Sequence, residues 1–304
     1  MTEALYTAFE PAFRRFVRDG EPLRQLWGDG RWTEGPVHLP LTRAVVFSDI
    51  PNDRQMLYSE LSGLTHELRG GRRHFTNGAT LDRQGRMLVC EHGTRSLARI
   101  GHDGQRTLLA DIFEGGRLNS PNDVAVHADG TIWFTDPSYG IESHYEGCVS
   151  PREQNGNHVY RYDPTTGALD AVARDFAYPN GIAFSPDGAL LYVADSGGSR
   201  SPGNERHIRV FTLDEKRLTG GNVLAECPNG VFDGFRLDTE GRLWTSASDG
   251  VCCFSPDGTC LGRIAVPETV SNLCFGGPRN TRLYITATHS LYAIELCVRG
   301  AALL

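Results

Sequence analysis

The sequence predicts an all-β fold: a six-bladed β-propeller of four-stranded antiparallel blades, with the ring closed by N- and C-terminal strands. The first basis is a repeat, because the stretch SPNDVAVHADGTIWFTDP at 120–137 returns in altered form five more times. The second is the content of each copy, in which a polar residue precedes an alternating apolar run, a turn and a second apolar run. That order is typical of a strand, a tight hairpin and a second strand.

The third basis is the spacing of the polar residue that opens each repeat, which we call its lead residue. The six lead residues are Glu34, Asn77, Asn122, Asn180, Asp233 and Asn272, separated by 43, 45, 58, 53 and 39 residues. Such a period holds two strands with room for two more, as in a propeller blade. A helical solenoid would need apolar residues three and four positions apart, whereas NDVAV and TIWFT alternate or run continuously.

The N-terminal segment of the chain lies outside the six repeats. Residues 1–20 carry apolar residues such as Phe9 and Phe13 at helical spacing, which predicts a short amphipathic helix that caps the propeller. The segment from Leu23 to Trp27 is predicted to form a strand that belongs to none of the six repeats. We expect it to pair near Leu291 to Val298 and close the ring, so that residues 1–304 form one domain.

Turn pairs such as Asp129-Gly130 and Asp187-Gly188 mark the hairpins and make the first two strands of a blade antiparallel. A chain that leaves the mouth of the central channel at a lead residue therefore returns to the mouth at the end of the second strand. Residues 138–157 follow such a second strand and have few periodic apolar residues. We predict that they form a loop over the mouth that serves as a partial lid.

Composition excludes several classes of partner. With 39% hydrophobic and 22% charged residues the chain resembles an ordinary soluble protein. The net charge of −7 argues against nucleic acid and anionic membranes as partners. The first residues lack the apolar core of a signal peptide, and no apolar run is long enough to span a membrane. We expect a cytoplasmic protein, with a monomer and a dimer both left open.

The eight cysteines include no CxxC pair, so neither a zinc site nor a disulfide framework is predicted. Cys252 and Cys253 are adjacent in a predicted strand and should point to opposite faces. We interpret most of the cysteines as small buried apolar residues in reduced form.

The lead residues should face one another around the channel, because the first strand of each blade borders the central axis. Four of them mix charged and neutral oxygen groups, which is the ligand set that a hard divalent cation prefers. These four are Glu34, Asn122, Asn180 and Asp233. The sequence therefore predicts one divalent cation in the central channel.

Other residues near the mouth are candidates for contact with a substrate. Asn77 occupies a lead position, and Asp136 and Tyr139 lie where the predicted lid begins. We assign these three, together with Asn122, as substrate-binding candidates. His92 also falls at the rim of the mouth, where a histidine is more often structural than catalytic.

Several of these segments together resemble the SMP-30/gluconolactonase family of six-bladed propellers. The resemblance runs from about Trp27 to the C-terminus and is carried by EGP at 34–36, RLNSPNDV at 117–124, YPNG at 178–181 and FDGFRLDTEGRLW at 232–244. It implies a divalent-metal-dependent lactone hydrolase, in a family that also covers relatives hydrolysing phosphotriesters.

Carried over by position, the resemblance implies that Glu34, Asn180 and Asp233 are metal ligands and that Asn122 reaches the metal or the substrate. The branch typified by senescence marker protein has an arginine two residues before that asparagine, and this chain has Ser120 there. The departure puts the sugar-acid specificity of that branch in doubt. Arg117 lies close by in the sequence as a possible replacement.

The predicted function follows: a hydrolase acting on carboxylic esters that opens a lactone, gluconolactonase-like, by metal-activated water with Asp233 as the base. Ca²⁺ is the expected cation, with Mg²⁺, Mn²⁺ and Zn²⁺ as alternatives, and the partner is a small-molecule lactone. Two alternatives stay open at this point. One is phosphotriester-type hydrolysis at the same metal site, and the other is a non-catalytic propeller that binds proteins.

Overall fold

The computed structural model describes residues 5–201, 203 and 205–301. The chain begins with two short strands, β1 (Tyr6–Ala8) and β2 (Arg24–Trp27), separated by a 3₁₀ helix at Pro11–Arg15. The prediction of an amphipathic helix over residues 1–20 is therefore wrong for residues 5–20, and residues 1–4 lie outside the described part of the chain. Pro11 cannot donate a helical hydrogen bond, and residues 6–8 gain strand pairing on a sheet edge instead.

The first three blades follow in chain order, each a four-stranded antiparallel sheet. Blade 1 contains β3 (Thr33–Leu39), β4 (Ala44–Asp49), β5 (Arg54–Ser59) and β6 (Thr65–Gly70). Blade 2 contains β7 (Thr76–Leu81), β8 (Met87–Glu91), β9 (Ser96–Ile100) and β10 (Arg106–Ala110). After a ribbon of β11 (Ile112–Phe113) and β12 (Gly116–Arg117), blade 3 contains β13 (Val124–Val126), β14 (Ile132–Asp136), β15 (Asn157–Tyr162) and β16 (Leu169–Phe176).

The last three blades complete the ring. Blade 4 contains β17 (Pro179–Phe184), β18 (Leu190–Asp195), β19 (His207–Asp214) and β20 (Arg217–Glu226). Blade 5 contains β21 (Phe235–Leu237), β22 (Leu243–Ala247), β23 (Gly250–Phe254) and β24 (Cys260–Ala265), with β1 as a fifth strand on its outer edge. Blade 6 contains β25 (Val270–Gly276), β26 (Arg282–Ala287) and β27 (Ser290–Glu295). The prediction of a six-bladed propeller is confirmed.

The ring closes as predicted from the sequence. The strand β2 is the outer strand of blade 6 and pairs with β27, so that Arg24 lies opposite Ala293 and Trp27 opposite Leu291. The N-terminal segment thus supplies the fourth strand of the last blade. This arrangement joins the two ends of the chain by backbone hydrogen bonds.

Four short helical segments lie outside the sheets in the described part of the chain, three at the ends of second strands and one before the first blade. The three at the ends of second strands are a helix α1 (Tyr139–Glu142) and 3₁₀ helices at Ile50–Asn52 and Gly197–Ser199, and the 3₁₀ helix at Pro11–Arg15 before blade 1 is a fourth. No helix in the described ranges has the length and apolar character needed to cross a membrane.

The core consists of apolar layers between neighbouring blades, and β23 contributes to two of them. Cys252 packs in the layer between blades 4 and 5, and Cys253 in the layer between blades 5 and 6. Both thiols are fully buried and free. The prediction that these adjacent cysteines point to opposite faces is confirmed.

Their packing role leads to a stability prediction. Cys252→Ala and Cys253→Ala should each lower the free energy of unfolding by about 1 to 3 kcal/mol, because each leaves a small cavity in a filled layer. Cys297→Ala is the matched control, since Cys297 is exposed and its loss should change stability by no more than about 0.5 kcal/mol. Urea unfolding measures all three. A core variant as stable as the control would contradict the packing account.

Candidate active site

Five of the six lead residues line one cavity at the mouth of the channel. The cavity has a volume of about 230 Å³, and the lead residues in its wall are Glu34, Asn77, Asn122, Asn180 and Asp233. A larger cavity of about 670 Å³ lies at the opposite end of the channel, where inner strands turn into hairpins, and it contains no lead residue. The polar ring is therefore confined to the smaller cavity.

The inner strands are irregular where the lead residues lie. The pairing register shifts between Glu34 and Val37 in blade 1, and again between Pro179 and Ile182 in blade 4. Blades 2 and 6 have a shift at the corresponding place. Such irregularities release a residue from the regular alternation of the strand and turn its side chain in a new direction. In blades 1, 2 and 4 such a shift lies beside a lead residue that lines the cavity.

Glycines next to the lead residues allow neighbouring blades to approach. Gly78 N–H donates to the Asn122 carbonyl at 2.8 Å, and Gly181 N–H donates to the Asp233 carbonyl at 3.1 Å. A Cβ atom on either glycine would lie too close to the carbonyl oxygen of that neighbour. The dipeptide of a lead residue and glycine thus joins each of these blades to the next one at the mouth.

This contact predicts the effect of a methyl group at Gly181. Gly181→Ala should lower the free energy of unfolding by about 1 to 3 kcal/mol and move Asn180 away from Asp233, because the new Cβ meets the Asp233 backbone. Gly104→Ala is the control: it has open space but a φ of +79°, so it costs about 1 kcal/mol through backbone strain alone and leaves the cavity unchanged. Urea unfolding that finds Gly181→Ala as stable as the wild type would contradict this contact.

The lead residue of blade 6 supports its neighbour and does not line the cavity. Asn272 Nδ2 donates to Glu34 Oε2 at 3.0 Å, and the backbone N–H of Gly35 donates to the same oxygen at 2.6 Å. Asn272 Oδ1 accepts from the Leu273 N–H at 2.8 Å, which fixes the orientation of its amide. Glu34 is therefore held rigidly on one oxygen.

Carboxyl groups are concentrated around this cavity. Burial raises the pKa of Glu34, although the Gly35 N–H and Asn272 oppose the rise. Burial likewise raises the pKa of Asp233, and the carboxylates of Glu34 and Glu146 raise it further, while a hydrogen bond from Asn180 lowers it. Carboxylates that share a cavity in this way favour a cation between them.

One arginine lies deeper in the channel. Arg236 Nη1 is 3.4 Å from Asp123 Oδ2 and 2.7 Å from the Phe235 carbonyl oxygen, and both charged side chains are largely buried. Its guanidinium lies among the residues that line the cavity at the opposite end of the channel. The Asp123 carboxylate raises the pKa of Glu34 and the Arg236 guanidinium lowers it, so the two members of the pair act on Glu34 in opposite directions.

The insertion at 138–157 contributes to the wall of the same cavity. Tyr139 from α1 and Glu146 from the following loop both line it. Burial raises the pKa of Glu146, and the neighbouring Arg200 lowers it. Tyr139 is packed under the Arg200 guanidinium, whose carbon lies 4.6 Å from the centre of the tyrosine ring.

Ser120 anchors the beginning of this insertion. Its hydroxyl donates to the Pro137 carbonyl at 2.6 Å and accepts from the Gly140 N–H at 2.9 Å, and the side chain is fully buried. Arg117 is turned away, with its guanidinium donating to the Thr94 carbonyl at 2.7 Å. The only guanidinium in the cavity wall is that of Arg200 among the residues that the structure describes.

Sequence reasoning did not find Arg200 or Glu146. Both lie in segments that follow second strands, Arg200 after β18 and Glu146 after β14. The hairpin argument that brought Tyr139 to the mouth applies to these segments as well. It was a usable signal for Arg200, whose segment GGSRS begins two residues after Asp195.

Asp136 lies outside the cavity wall, in contrast to the expectation of a substrate contact. Its Oδ2 accepts from the Asn119 N–H at 2.8 Å, and the side chain is fully buried. Burial raises its pKa to about 7, although the N–H groups of Asn119 and Ser120 oppose the rise. The carboxyl is directed toward the 117–120 segment and stabilises that turn.

The chemistry of the cavity fits a hard cation. In the described ranges, no group of three His, Cys, Asp or Glu side chains comes together in the manner of a metal site, so a cation at the mouth would need amide oxygens in addition to carboxylates. The wall supplies both, from Glu34 and Asp233 and from Asn122 and Asn180. These are oxygen ligands of the type that Ca²⁺ and Mg²⁺ take.

Three known proteins illustrate what this chain is similar to. A gluconolactonase from Zymomonas mobilis is 32% identical over 312 aligned positions, covering 95% of this chain and 85% of the relative. A 6-deoxy-6-sulfogluconolactonase from Pseudomonas putida is 34% identical over 225 positions, covering 71% and 69%. The solved structure of a gluconolactonase from Xanthomonas campestris matches with a TM-score of 0.90 and 36% identity, covering 96% of this chain and 95% of that one.

The family comparison covers most of the propeller. The family described as SMP-30/Gluconolactonase/LRE-like region matches residues 32–289, from the start of blade 1 to the turn between β26 and β27. That range includes every lead residue and the insertion over the mouth. The chain belongs to the SMP-30/gluconolactonase family.

Proposed function

We propose that this protein is a divalent-cation-dependent hydrolase that opens sugar lactones, in the manner of a gluconolactonase. The observation that carries the proposal is the convergence of two carboxylates and two amides on one cavity at the channel mouth, formed by Glu34, Asn122, Asn180 and Asp233. The same cavity wall contains Asn77, Tyr139 and Arg200, whose polar groups suit the binding of a polyhydroxylated ring. Relatives of similar sequence that bear lactonase names support the reaction class.

Glu34, Asn122, Asn180 and Asp233 would hold the cation. When bound, the cation acts as a Lewis acid that polarises a lactone carbonyl. Glu34 is held by Asn272 and Gly35 on Oε2, and this rigidity suits a ligand better than a group that exchanges protons. Because all four ligands offer oxygen, Ca²⁺ is the cation we propose, with Mg²⁺, Mn²⁺ and Zn²⁺ as alternatives.

Asp233 is the general base of the proposed reaction. It accepts a proton from a water molecule while the oxygen of that water forms a bond to the lactone carbonyl carbon. The bond between the carbonyl carbon and the ring oxygen then breaks, and the ring oxygen becomes a hydroxyl by taking up the proton that Asp233 had accepted. The position of Asp233 in the cavity wall beside Asn180 supports this role.

The remaining wall residues bind and orient the substrate. Asn77, Asn122 and Tyr139 present polar groups to the cavity, and Arg200 lies over the Tyr139 ring. The substrate is proposed to be a sugar lactone because the wall includes, beside apolar residues, amide, carboxyl and guanidinium groups that can bind the hydroxyls of such a ring. The insertion at 138–157 would then act as a lid that limits the access of bulk water to the bound ring.

The two alternative functions gain no support. A protein-binding platform would be expected to present aromatic and arginine anchors on an open surface, whereas these groups surround a small recessed cavity. Nothing in the cavity wall favours a phosphotriester over a lactone. The free thiols of the described cysteines fit the proposed cytoplasmic location.

A panel of lactones tests the proposal. Proton release would be followed with D-glucono-δ-lactone, a five-carbon sugar lactone, δ-valerolactone and a phosphotriester, in the presence of Ca²⁺. The expected result is hydrolysis well above the uncatalysed rate with the sugar lactones as preferred substrates. Equal or higher activity on the phosphotriester, or no activity on any lactone, would overturn the proposal.

A further inference from the structure

We propose that His92 is a positioning residue that fixes the amide of Asn77, so that Asn77 Oδ1 is held as a hydrogen-bond acceptor for a hydroxyl of the lactone. The inference rests on the proposed function and deepens it, since it names a determinant for hydroxylated lactones. His92 itself is fully buried and does not line the cavity. It therefore acts only through Asn77.

The imidazole of His92 is neutral, with its proton on Nδ1. His92 Nδ1 lies 3.0 Å from the backbone carbonyl oxygen of Glu146, which can only accept a hydrogen bond. Nδ1 therefore carries the proton. Burial lowers the pKa of His92 to about 4, although the Glu146 carbonyl opposes the fall, so the ring is neutral near pH 7 and its Nε2 is an acceptor.

The neutral imidazole determines the orientation of the Asn77 amide. His92 Nε2 lies 3.1 Å from Asn77 Nδ2. Because Nε2 accepts, Asn77 must direct its NH₂ group toward the imidazole and its carbonyl oxygen away from it. The Glu146 carbonyl thus determines, through one neutral histidine, which way the Asn77 amide points.

The oxygen of the Asn77 amide, Oδ1, is left without a hydrogen-bond donor in the described part of the chain. Asn77 is only 4% exposed and belongs to the cavity wall, and its Oδ1 has no hydrogen-bond donor among the described residues. A buried acceptor without a donor is unfavourable, and in this proposal a hydroxyl of the bound lactone supplies the donor. A sugar lactone brings hydroxyl groups, whereas an unsubstituted lactone brings none.

The same histidine connects this acceptor to the insertion over the mouth. Gly140 packs against the imidazole so closely that a Cβ there would lie 2.6 Å from His92 Cγ and 2.8 Å from Ser120 Cβ. Glu146, whose carbonyl binds His92, also lines the cavity. The acceptor and the lid segment are consequently held in one arrangement by a single side chain.

Three substitutions separate the two bonds of His92. His92→Gln places an amide near the Nε2 position and can still accept from Asn77. His92→Asn places its amide near the Nδ1 position, so it keeps the bond to Glu146 and loses Asn77. His92→Phe loses both bonds. We would measure kcat and KM of each variant with D-glucono-δ-lactone and with δ-valerolactone at saturating Ca²⁺.

His92→Asn and His92→Phe should raise KM for the sugar lactone by about 10-fold, the effect of one lost hydrogen bond. Both should leave kcat/KM for δ-valerolactone within about twofold, because that substrate has no hydroxyl to bind. His92→Gln should recover most of the affinity for the sugar lactone. If His92 had only a structural role, its substitution would lower kcat/KM for both lactones alike, and His92→Gln would behave like His92→Asn.

Asn77→Leu guards against variants of His92 that fail to fold. It should show the same selective loss, and His92→Phe combined with Asn77→Leu should be no worse than Asn77→Leu alone. Equal losses on the two lactones, weaker Ca²⁺ binding in Asn77→Leu, or additive effects in the double variant would overturn the inference. A wild-type protein inactive on every lactone would instead contradict the proposed function.

Discussion

Replacing Asp233 with asparagine should lower the turnover of the lactone by about 10²- to 10⁴-fold at saturating cation, the range typical for loss of a general base. Asparagine keeps the size of the side chain and one oxygen for the cation, but it cannot accept a proton. Cation binding should therefore persist with weaker affinity. Calorimetry for the cation and proton release for turnover are the two measurements needed.

Glu34→Gln is the matched control for Asp233→Asn, because it removes the other carboxylate of the cavity wall. It should weaken cation affinity first, and excess cation should restore much of its activity. Turnover near the wild-type value in cation-loaded Asp233→Asn would show that Asp233 is only a ligand. The base would then have to be sought at Glu34 or Glu146, since Asp136 lies outside the cavity.

Removing divalent cations with a strong chelator should abolish lactone hydrolysis, and adding Ca²⁺ back should restore it. The reason is the donor set: carboxylate and amide oxygens that converge on one cavity bind hard cations and offer no substitute for their charge. The experiment compares turnover before chelation, after it and after addition of each of Ca²⁺, Mg²⁺, Mn²⁺ and Zn²⁺. Full turnover in metal-free protein would contradict the mechanism.

A control for chelation distinguishes loss of the cation from loss of the fold. Unfolding by urea should still show a cooperative transition without the cation, because the six apolar layers between blades do not depend on it. Bound cation should add stability in proportion to its concentration relative to its Kd. A protein that unfolds outright on chelation would make the activity loss uninformative about catalysis.

The parts of the fold that repeat were predictable from the sequence. Hairpin geometry brings the lead residue of every repeat to the same end of the channel, so the alignment of Glu34 with Asn122 and Asn180 sufficed to identify one ring. Ring closure by the segment near Trp27 followed because that strand had no blade of its own. The first conclusion depends on strand and turn patterns that each repeat contains, and the second on a predicted strand that lies outside the repeats.

The parts that do not repeat were not predictable in the same way. The N-terminal segment showed helical spacing, yet Pro11 and the free edge of β24 made residues 6–8 a strand. Glu146 and Arg200 reach the cavity through single loops that no other blade copies. Asp136 ends a second strand but does not line the cavity, because its place in the chain does not fix the direction of its side chain, and the Asn119 N–H binds its Oδ2.

The central claim is that Glu34, Asn122, Asn180 and Asp233 form one cation site on which hydrolysis depends. The most direct measurement is a titration of metal-free protein with Ca²⁺ in which bound cation and D-glucono-δ-lactone turnover are recorded together. The account predicts that turnover rises in step with occupancy and levels off at one cation per chain, and that Asn180→Leu shifts both curves to higher Ca²⁺ together. Turnover that is independent of occupancy, or binding unchanged in Asn180→Leu, would contradict it.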